Sequence, residues 1–209
     1  MKLAIFGGTG RTGMHLVQQA LDQGHEVVIL ARNPAKITLQ HAQLSVIAGD
    51  VKDLPKVEQT IAGASVVISA LGPTSNEPVY AVSQGMENII AAAQKQGVRR
   101  LIIAAGAGVG DPKDTPGLFH HIMNFMLKLM AKNVLADMTR AVALVRASNL
   151  DWTVVRLPML VDGPHTGTIR VGYVGQGMGP RINRADAAEF MLAQAAQSTF
   201  ICQSPAISN

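Results

Sequence analysis

The sequence predicts a doubly wound α/β fold with a mainly parallel sheet, in a single domain over residues 1–209. Three observations predict it. Short β-branched runs alternate with longer helical stretches, a pattern that favours parallel pairing through right-handed crossovers. The first run ends in a cluster of glycines, the composition of a phosphate-binding turn. At 209 residues, 48% of them hydrophobic, the chain can bury one substantial core but is short for two enzymatic domains.

Residues 2–6, KLAIF, read as a buried strand, and 11–23 as a helix with Met14, Val17 and Leu21 at helical spacing. Gly24 sits where a glycine commonly stops a helix. Strands follow at 26–30, 44–48 and 65–70, then a long helix at 79–96 stopped by Gly97. A fifth strand covers 100–104 and a sixth 152–156. Segment 115–149 reads as two helices, the second with Leu135, Met138, Val142 and Val145 on one face. A glycine-rich stretch, 163–179, and a helix over 184–197 form small C-terminal segments on the substrate side.

Composition excludes several classes. A net charge of +4, with basic residues scattered and Arg99 and Arg100 the densest pair, argues against nucleic acid as a partner. It suits mild attraction for anionic small molecules. Cys202 is the only cysteine, so neither an internal disulfide nor a cysteine-rich metal site is expected, and no metal is assigned. Residues 2–6 are too short for a signal-peptide core. The most apolar stretch, 118–130, is broken by His120, His121, Asn124 and Lys128 and falls short of the roughly 20 residues of a membrane span. The expectation is a soluble, cytoplasmic protein without a membrane partner, as a monomer or weak homodimer.

The first strand runs into Gly7, Gly8, Thr9, Gly10, Arg11, Thr12 and Gly13, and then into a helix. Gly8-x-Gly10-x-x-Gly13 and Gly7-x-x-Gly10-x-x-Gly13 are both present. Such glycines permit the tight turn, close backbone approach to a pyrophosphate, and close helix–strand packing. The helix start offers free N–H groups to the phosphates. With strand, turn, helix and second strand in register, the motif reads as the dinucleotide turn of a Rossmann-type domain.

The end of the second strand separates NAD from NADP. An NAD site places an Asp or Glu about 20 residues beyond the motif. Here stand Leu30, Ala31, Arg32 and Asn33, with Lys36 close behind. A guanidinium can clamp a 2′-phosphate at two points, which a carboxylate would repel. Arg32 is therefore assigned to NADP(H), with Arg11 a second candidate for the same phosphate; the plain alternative for Arg32 is a solvated residue opening a helix. Ligands sit at the carboxyl ends of parallel strands. Asp50 and Val51 then flank the adenine, and Ala70, Leu71 and Gly72 run along the cofactor's middle. For Asp50, a turn residue is an equal alternative.

Taken with Gly49–Asp50 and the late run from Leu150 through Trp152 to Arg156 and Pro158, these motifs resemble the atypical short-chain dehydrogenase/reductases. Within them the sequence is similar to the flavin reductase/biliverdin-IXβ reductase group and the NmrA-like NAD(P)H-binding proteins. The resemblance implies NADPH-dependent reduction of a flavin or a linear tetrapyrrole such as biliverdin, and adds Pro158 to the cofactor's contacts. Its alternative is a non-catalytic NADP(H)-sensing regulator of NmrA-like type.

The Tyr-x-x-x-Lys of mainstream relatives is absent, because Tyr80 and Tyr173 are followed four residues on by Gln84 and Gly177. The usual helix position falls near Met138 and Val142. Biliverdin-reductase relatives carry a serine after the fifth strand and a histidine after the sixth; Gly106 and Met159 stand there. No catalytic side chain is assigned, and the expectation is a platform on which the acceptor stacks against the cofactor. An apolar acceptor pocket is expected from Gly106, Ala107, Met126, Met159 and Leu160, with Met123 and Met130 nearby; packing is the alternative for any one methionine. His120 and His121 suit solvent-exposed or capping roles better than catalysis or metal binding.

Overall fold

The computed structural model describes the chain except for residues 74, 119–121, 123–124 and 127–128. Among the described residues lie ten strands and five α-helices. In chain order they are β1 (Lys2–Phe6), α1 (Arg11–Asp22), β2 (Glu26–Ala31), β3 (Leu44–Ala48), α2 (Leu54–Ile61), β4 (Val66–Ser69), α3 (Ala81–Lys95) and β5 (Arg100–Gly106). There follow α4 (Lys132–Ala147), β6 (Asp151–Leu157), β7 (Met159–Val161), β8 (Arg170–Gly172), β9 (Arg181–Asn183), α5 (Arg184–Ala193) and β10 (Ala206–Ser208).

Eight strands form one sheet in the order β3-β2-β1-β4-β5-β6-β10-β8, parallel throughout except for the β10–β8 pair. β7 and β9 make a separate parallel pair. Side chains alternate between the sheet's two faces, and β1 shows the consequence. Ala4 and Phe6 join a core beneath α2, α3 and α4, whereas Leu3 and Ile5 join a second core beneath α1 and α5. Burial on both faces is why the inner strands β1, β2, β4, β5 and β6 read as continuous apolar runs. The chain passes from β1 to β2 and β3 on one side, then returns to β4 on the other. That reversal opens a crevice at the carboxyl ends of β1 and β4, the place where such folds bind ligands.

Several expectations need correction. Met14 is half exposed, because α1 buries Gly13, Leu16, Val17, Ala20 and Leu21 instead. The helix expected from 79 starts at Ala81, since Tyr80 adopts a left-handed backbone (φ 47°) that no helix can include. The helix expected to reach 197 stops at Ala193, and the strand expected over 65–70 spans Val66–Ser69. The glycine-rich stretch contains β8. Of the two helices expected over 115–149, the second is α4, with Met138, Val142 and Val145 buried and Leu135 packed against them. Much of the first, including Met123, His120 and His121, lies outside the described residues.

Candidate functional site

The turn after β1 is built around absent side chains. Gly7 has φ 79°, and a Cβ there would lie 2.7 Å from the Ala70 carbonyl carbon at the end of β4. At Gly13 a Cβ would fall 2.0 Å from the Gly7 oxygen, so the first turn of α1 rests directly on the turn's backbone. Gly10 N–H donates to Gly7 O at 3.0 Å and holds the turn closed. Gly10 caps α1 with no side-chain hydrogen bond, and the helix has no acidic residue in its first turn. The N–H groups opening α1, with the positive end of its dipole, therefore remain available to an anion.

Beside the turn lies a cavity of about 320 Å³. Gly7, Thr9 and Gly10 line it from β1, and Arg32 and Lys36 from the end of β2. Asp50 and Val51 contribute from β3, and Ala70, Leu71, Gly72 and Pro73 from β4. Ala81 and Val82 close it from the start of α3. Asn33 Oδ1 accepts from Ala35 N–H at 3.1 Å, which folds the chain after β2 so that Arg32 and Lys36 reach the same space. Asp50 Oδ1 accepts from Lys52 N–H at 2.9 Å, so Asp50 does act as a turn residue while it also lines the cavity. Val51 is fixed against Gly85 of α3, where a Cβ would lie only 2.5 Å from it. A smaller cavity of about 130 Å³ adjoins, sharing Arg32, Asp50, Pro73 and Ala81.

Nine residues expected at the cofactor thus share one cavity: Gly7, Thr9, Gly10, Arg32, Asp50, Val51, Ala70, Leu71 and Gly72. Thr12 and Gly13, in α1, and Pro158, between β6 and β7, are not among the residues that line it. Arg11 is engaged elsewhere. Its guanidinium pairs with Asp162 just beyond β7, and the same carboxylate accepts from Arg184 Nη1 at 2.7 Å. Lys36, rather than Arg11, is the second cation in the cavity.

Of the residues expected on the acceptor side, Gly106 and Ala107 stand at the end of β5, Met159 and Leu160 in β7 just past β6, and Met126 between β5 and α4. Neither cavity described above includes them. Gly106 is exposed, with open space where a Cβ would project. Ala107 N–H donates to Leu157 O at 2.8 Å and ties the two strand ends together. Met159 and Met126 are exposed, at 63% and 46%, whereas Leu160 is half-buried and packs against the core beneath α1 and α5. Met138 and Val142, at the usual tyrosine–lysine position, are buried in the other core. Tyr173 lies under Lys113 and Arg156, and its hydroxyl donates to Gln203 Oε1 at 3.2 Å.

Three groups went unread in the sequence. The buried Arg156 forms a two-point pair with Asp114. His165, Asp186 and Glu189 bring ligand atoms within 4.8 Å of one another. Asp186, however, already accepts from Thr166 N–H and Oγ1, Gly167 N–H and Asn209 Nδ2. These bonds hold its carboxyl below the usual range although burial, the largest single influence, pushes the other way, and its work is to fasten the loop before β8. Third, Asp137 of α4 is buried and accepts from Val82 and Ser83 N–H of α3. No described helix is long and apolar enough to cross a membrane.

Fold and groove together define a Rossmann-type dinucleotide-binding protein. A family model described as NAD(P)H-binding matches residues 7–198, most of the chain, and the protein belongs to that family. Among curated relatives, the photosystem II assembly factor Ycf39 of Synechocystis is 26% identical over 167 residues, covering 78% of this chain and 46% of that protein. Two further relatives are covered to 59% and 62%, so the chain spans about half to three-fifths of the length of these relatives. Among solved structures, a short-chain dehydrogenase/reductase from Veillonella parvula in complex with NADP superposes with TM-score 0.81 at 20% identity, covering 100% of this chain and 94% of that one. ChuY, an anaerobillin reductase from Escherichia coli, superposes with TM-score 0.78 at 22% identity, covering 100% and 97%. At these identities the two structures speak for the fold.

Proposed function

We propose that the protein is an NADPH-dependent oxidoreductase that passes hydride to a flavin or a linear tetrapyrrole of biliverdin type. The cofactor part rests on the family and on the fit of the groove: glycines where a Cβ would collide, open N–H groups at the start of α1, and two cations at the end of β2. Arg32 and Lys36 favour a 2′-phosphate, and no carboxylate stands at the end of β2 to accept a ribose 2′-OH. NADPH, when bound, supplies the hydride.

The observation that carries the acceptor reading is the chemistry around the ends of β5 and β6. Gly106, Ala107 and Met159 offer backbone and apolar surface, and Met138 and Val142 are packed in the core where a tyrosine and lysine would act. Such a surface suits a planar acceptor that needs stacking more than a side-chain acid, with water delivering the proton. The likeness to ChuY, whose name specifies a bilin-type substrate, supports the same reading. The test is steady-state NADPH oxidation with FMN, riboflavin or biliverdin; turnover is expected with at least one, and none with all three rejects the reading. The burial of Met138 and Val142 also favours a second reading, a non-catalytic NADP(H) sensor. That protein would bind NADPH tightly, turn over none of these acceptors, and co-purify with a partner protein.

A further inference from the structure

Two helix starts near the cofactor groove lack caps of their own. The residue before α3, Tyr80, and the residue before α4, Ala131, make no capping side-chain bond. Each is capped from the other side. Asp137 of α4 accepts from Ser83 N–H at 2.8 Å and Val82 N–H at 3.0 Å, so a buried carboxylate closes the start of α3. Asn76, between β4 and α3, closes the start of α4: its Oδ1 accepts from Asn133 N–H at 3.1 Å and Val134 N–H at 3.3 Å. Asn76 Nδ2 donates to Met130 O at 3.2 Å, and its backbone O accepts from Asn133 Nδ2 at 2.8 Å. An exposed asparagine with every polar group of its amide bonded to one helix start is a clasp.

The clasp bears on the groove because both of its anchor points belong to the walls. Leu71, Gly72 and Pro73 line the main cavity on one side of Asn76 in sequence. Ser75, Glu77, Val79 and Tyr80 line the smaller cavity, facing Asn133 and Val134. Val82, held by Asp137, lines the main cavity again. The connection between β4 and α3 contains no described helix or strand to hold it. Among its described residues from 75 to 79, the hydrogen bonds that reach another segment of the chain are those of Asn76, and the others are local.

We propose that Asn76 is a positioning residue for the cofactor: by fastening the β4–α3 connection to the start of α4, it pre-orders one wall of the NAD(P)H groove. A wall ordered in advance spares the ligand that entropy. Losing the order shows mainly in how fast the ligand leaves. The inference rests on the main cavity being the cofactor's and is independent of the acceptor.

The experiment compares NADPH dissociation, followed by its fluorescence in stopped flow, for the unmutated protein, Asn76→Ala and Asn76→Asp. Asn76→Ala is expected to release NADPH about fivefold to tenfold faster, with the association rate within about twofold. Asn76→Asp keeps the acceptor for the two helix N–H groups and gives up the donation to Met130, so it should recover most of the effect. Melting curves without cofactor establish that both variants are folded. Amide exchange supplies the readout that simple capping would not move. NADPH should slow exchange at the Asn133 and Val134 N–H groups in the unmutated protein and fail to do so in Asn76→Ala. Unchanged release from Asn76→Ala, or exchange at these amides indifferent to NADPH, overturns the proposal while leaving the cofactor site standing. Failure of the unmutated protein to bind NADPH overturns the site and the proposal together.

Discussion

Arg156 and Asp114 form a two-point ion pair, Nη1 to Oδ2 at 2.6 Å and Nη2 to Oδ1 at 2.8 Å, with the Arg156 side chain fully buried. Arg156 Nε also donates to Ser204 O, and Asp114 accepts from the N–H groups of Asp111 and Val174. One charge pair thereby ties β6 to the segment after β5, to the residues beyond β8, and to the approach to β10. Asp114→Ala would leave a guanidinium buried and unpaired, and breaking such a pair costs about 3–5 kcal/mol. The urea midpoint should fall accordingly. Replacing both partners with apolar residues of similar volume should cost less than Asp114→Ala alone, since no orphan charge remains.

The same pair sets an acid limit. Burial, the largest influence on Asp114, pushes its carboxyl up, but the Arg156 hydrogen bonds, the backbone N–H donors and the Arg156 charge together hold it below its ordinary value of 3.8. A carboxyl with a depressed folded value contributes stability that is complete above its ordinary value and lost as pH falls through the depressed one. Stability measured by denaturant between pH 5 and about 2 should therefore decline, and Asp114→Asn should flatten that decline while lowering stability at neutral pH. An equally steep decline in Asp114→Asn would assign the acid limit to other carboxylates.

How much of this was legible varies by element, for physical reasons. Strands β1, β2, β4, β5 and β6 are buried on both faces and announce themselves as apolar runs. Strand β3, at the sheet edge, is largely exposed and was readable from its β-branched alternation alone. Three-residue strands such as β7 and β9 are too short to display any period. Helix α2 did carry a signal, Asp53 at the cap with Pro55 in its first turn, and is recoverable by capping rules alone. The place of Arg32 beside the glycine turn was readable from its distance along the chain from that turn. That of Arg11 was not, because its partner Asp162 lies at the far end of the sequence. Asn76, Asp137 and Arg156 look like ordinary polar residues in a loop, a helix and a strand, and only the packing of distant segments gives them work.

Cofactor choice should turn on Arg32 and Lys36. Arg32→Asp puts a carboxylate where a 2′-phosphate would lie, and is expected to weaken NADPH by about a hundredfold while improving NADH. Lys36→Ala should weaken NADPH about tenfold with little effect on NADH. Arg11→Ala should leave the ratio unchanged, because Arg11 is paired with Asp162 outside the cavity. Titration of each variant with both cofactors reads the ratio. Equal affinity of the unmutated protein for NADPH and NADH would remove Arg32 from its role.

Glycine substitutions should separate turn from surface. Gly13→Ala forces a Cβ to 2.0 Å from a backbone oxygen that cannot yield, so the turn must shift, with cofactor binding lost and the melting temperature lowered. Gly117→Ala meets nothing within 4 Å and should bind and melt as the unmutated protein does. Normal NADPH affinity in Gly13→Ala would mean that the turn is not the phosphate site.

Gly106 offers a gain rather than a loss. The reductases this chain resembles carry a serine at the corresponding place, and here a Cβ at Gly106 would meet nothing within 4 Å, at a backbone φ outside the left-handed region. Gly106→Ser should therefore fold normally and bind NADPH unchanged, because Gly106 lies outside the cofactor cavity. If proton delivery from water limits the reaction, a hydroxyl at the end of β5 should raise kcat by about tenfold and leave KM nearly constant, since a positioned donor acts in the transition state. A solvent deuterium effect on kcat should shrink in the variant for the same reason. If kcat stays put while the isotope effect is absent in both proteins, hydride transfer or product release limits the rate. The apolar acceptor side would then be sufficient for the chemistry as it stands.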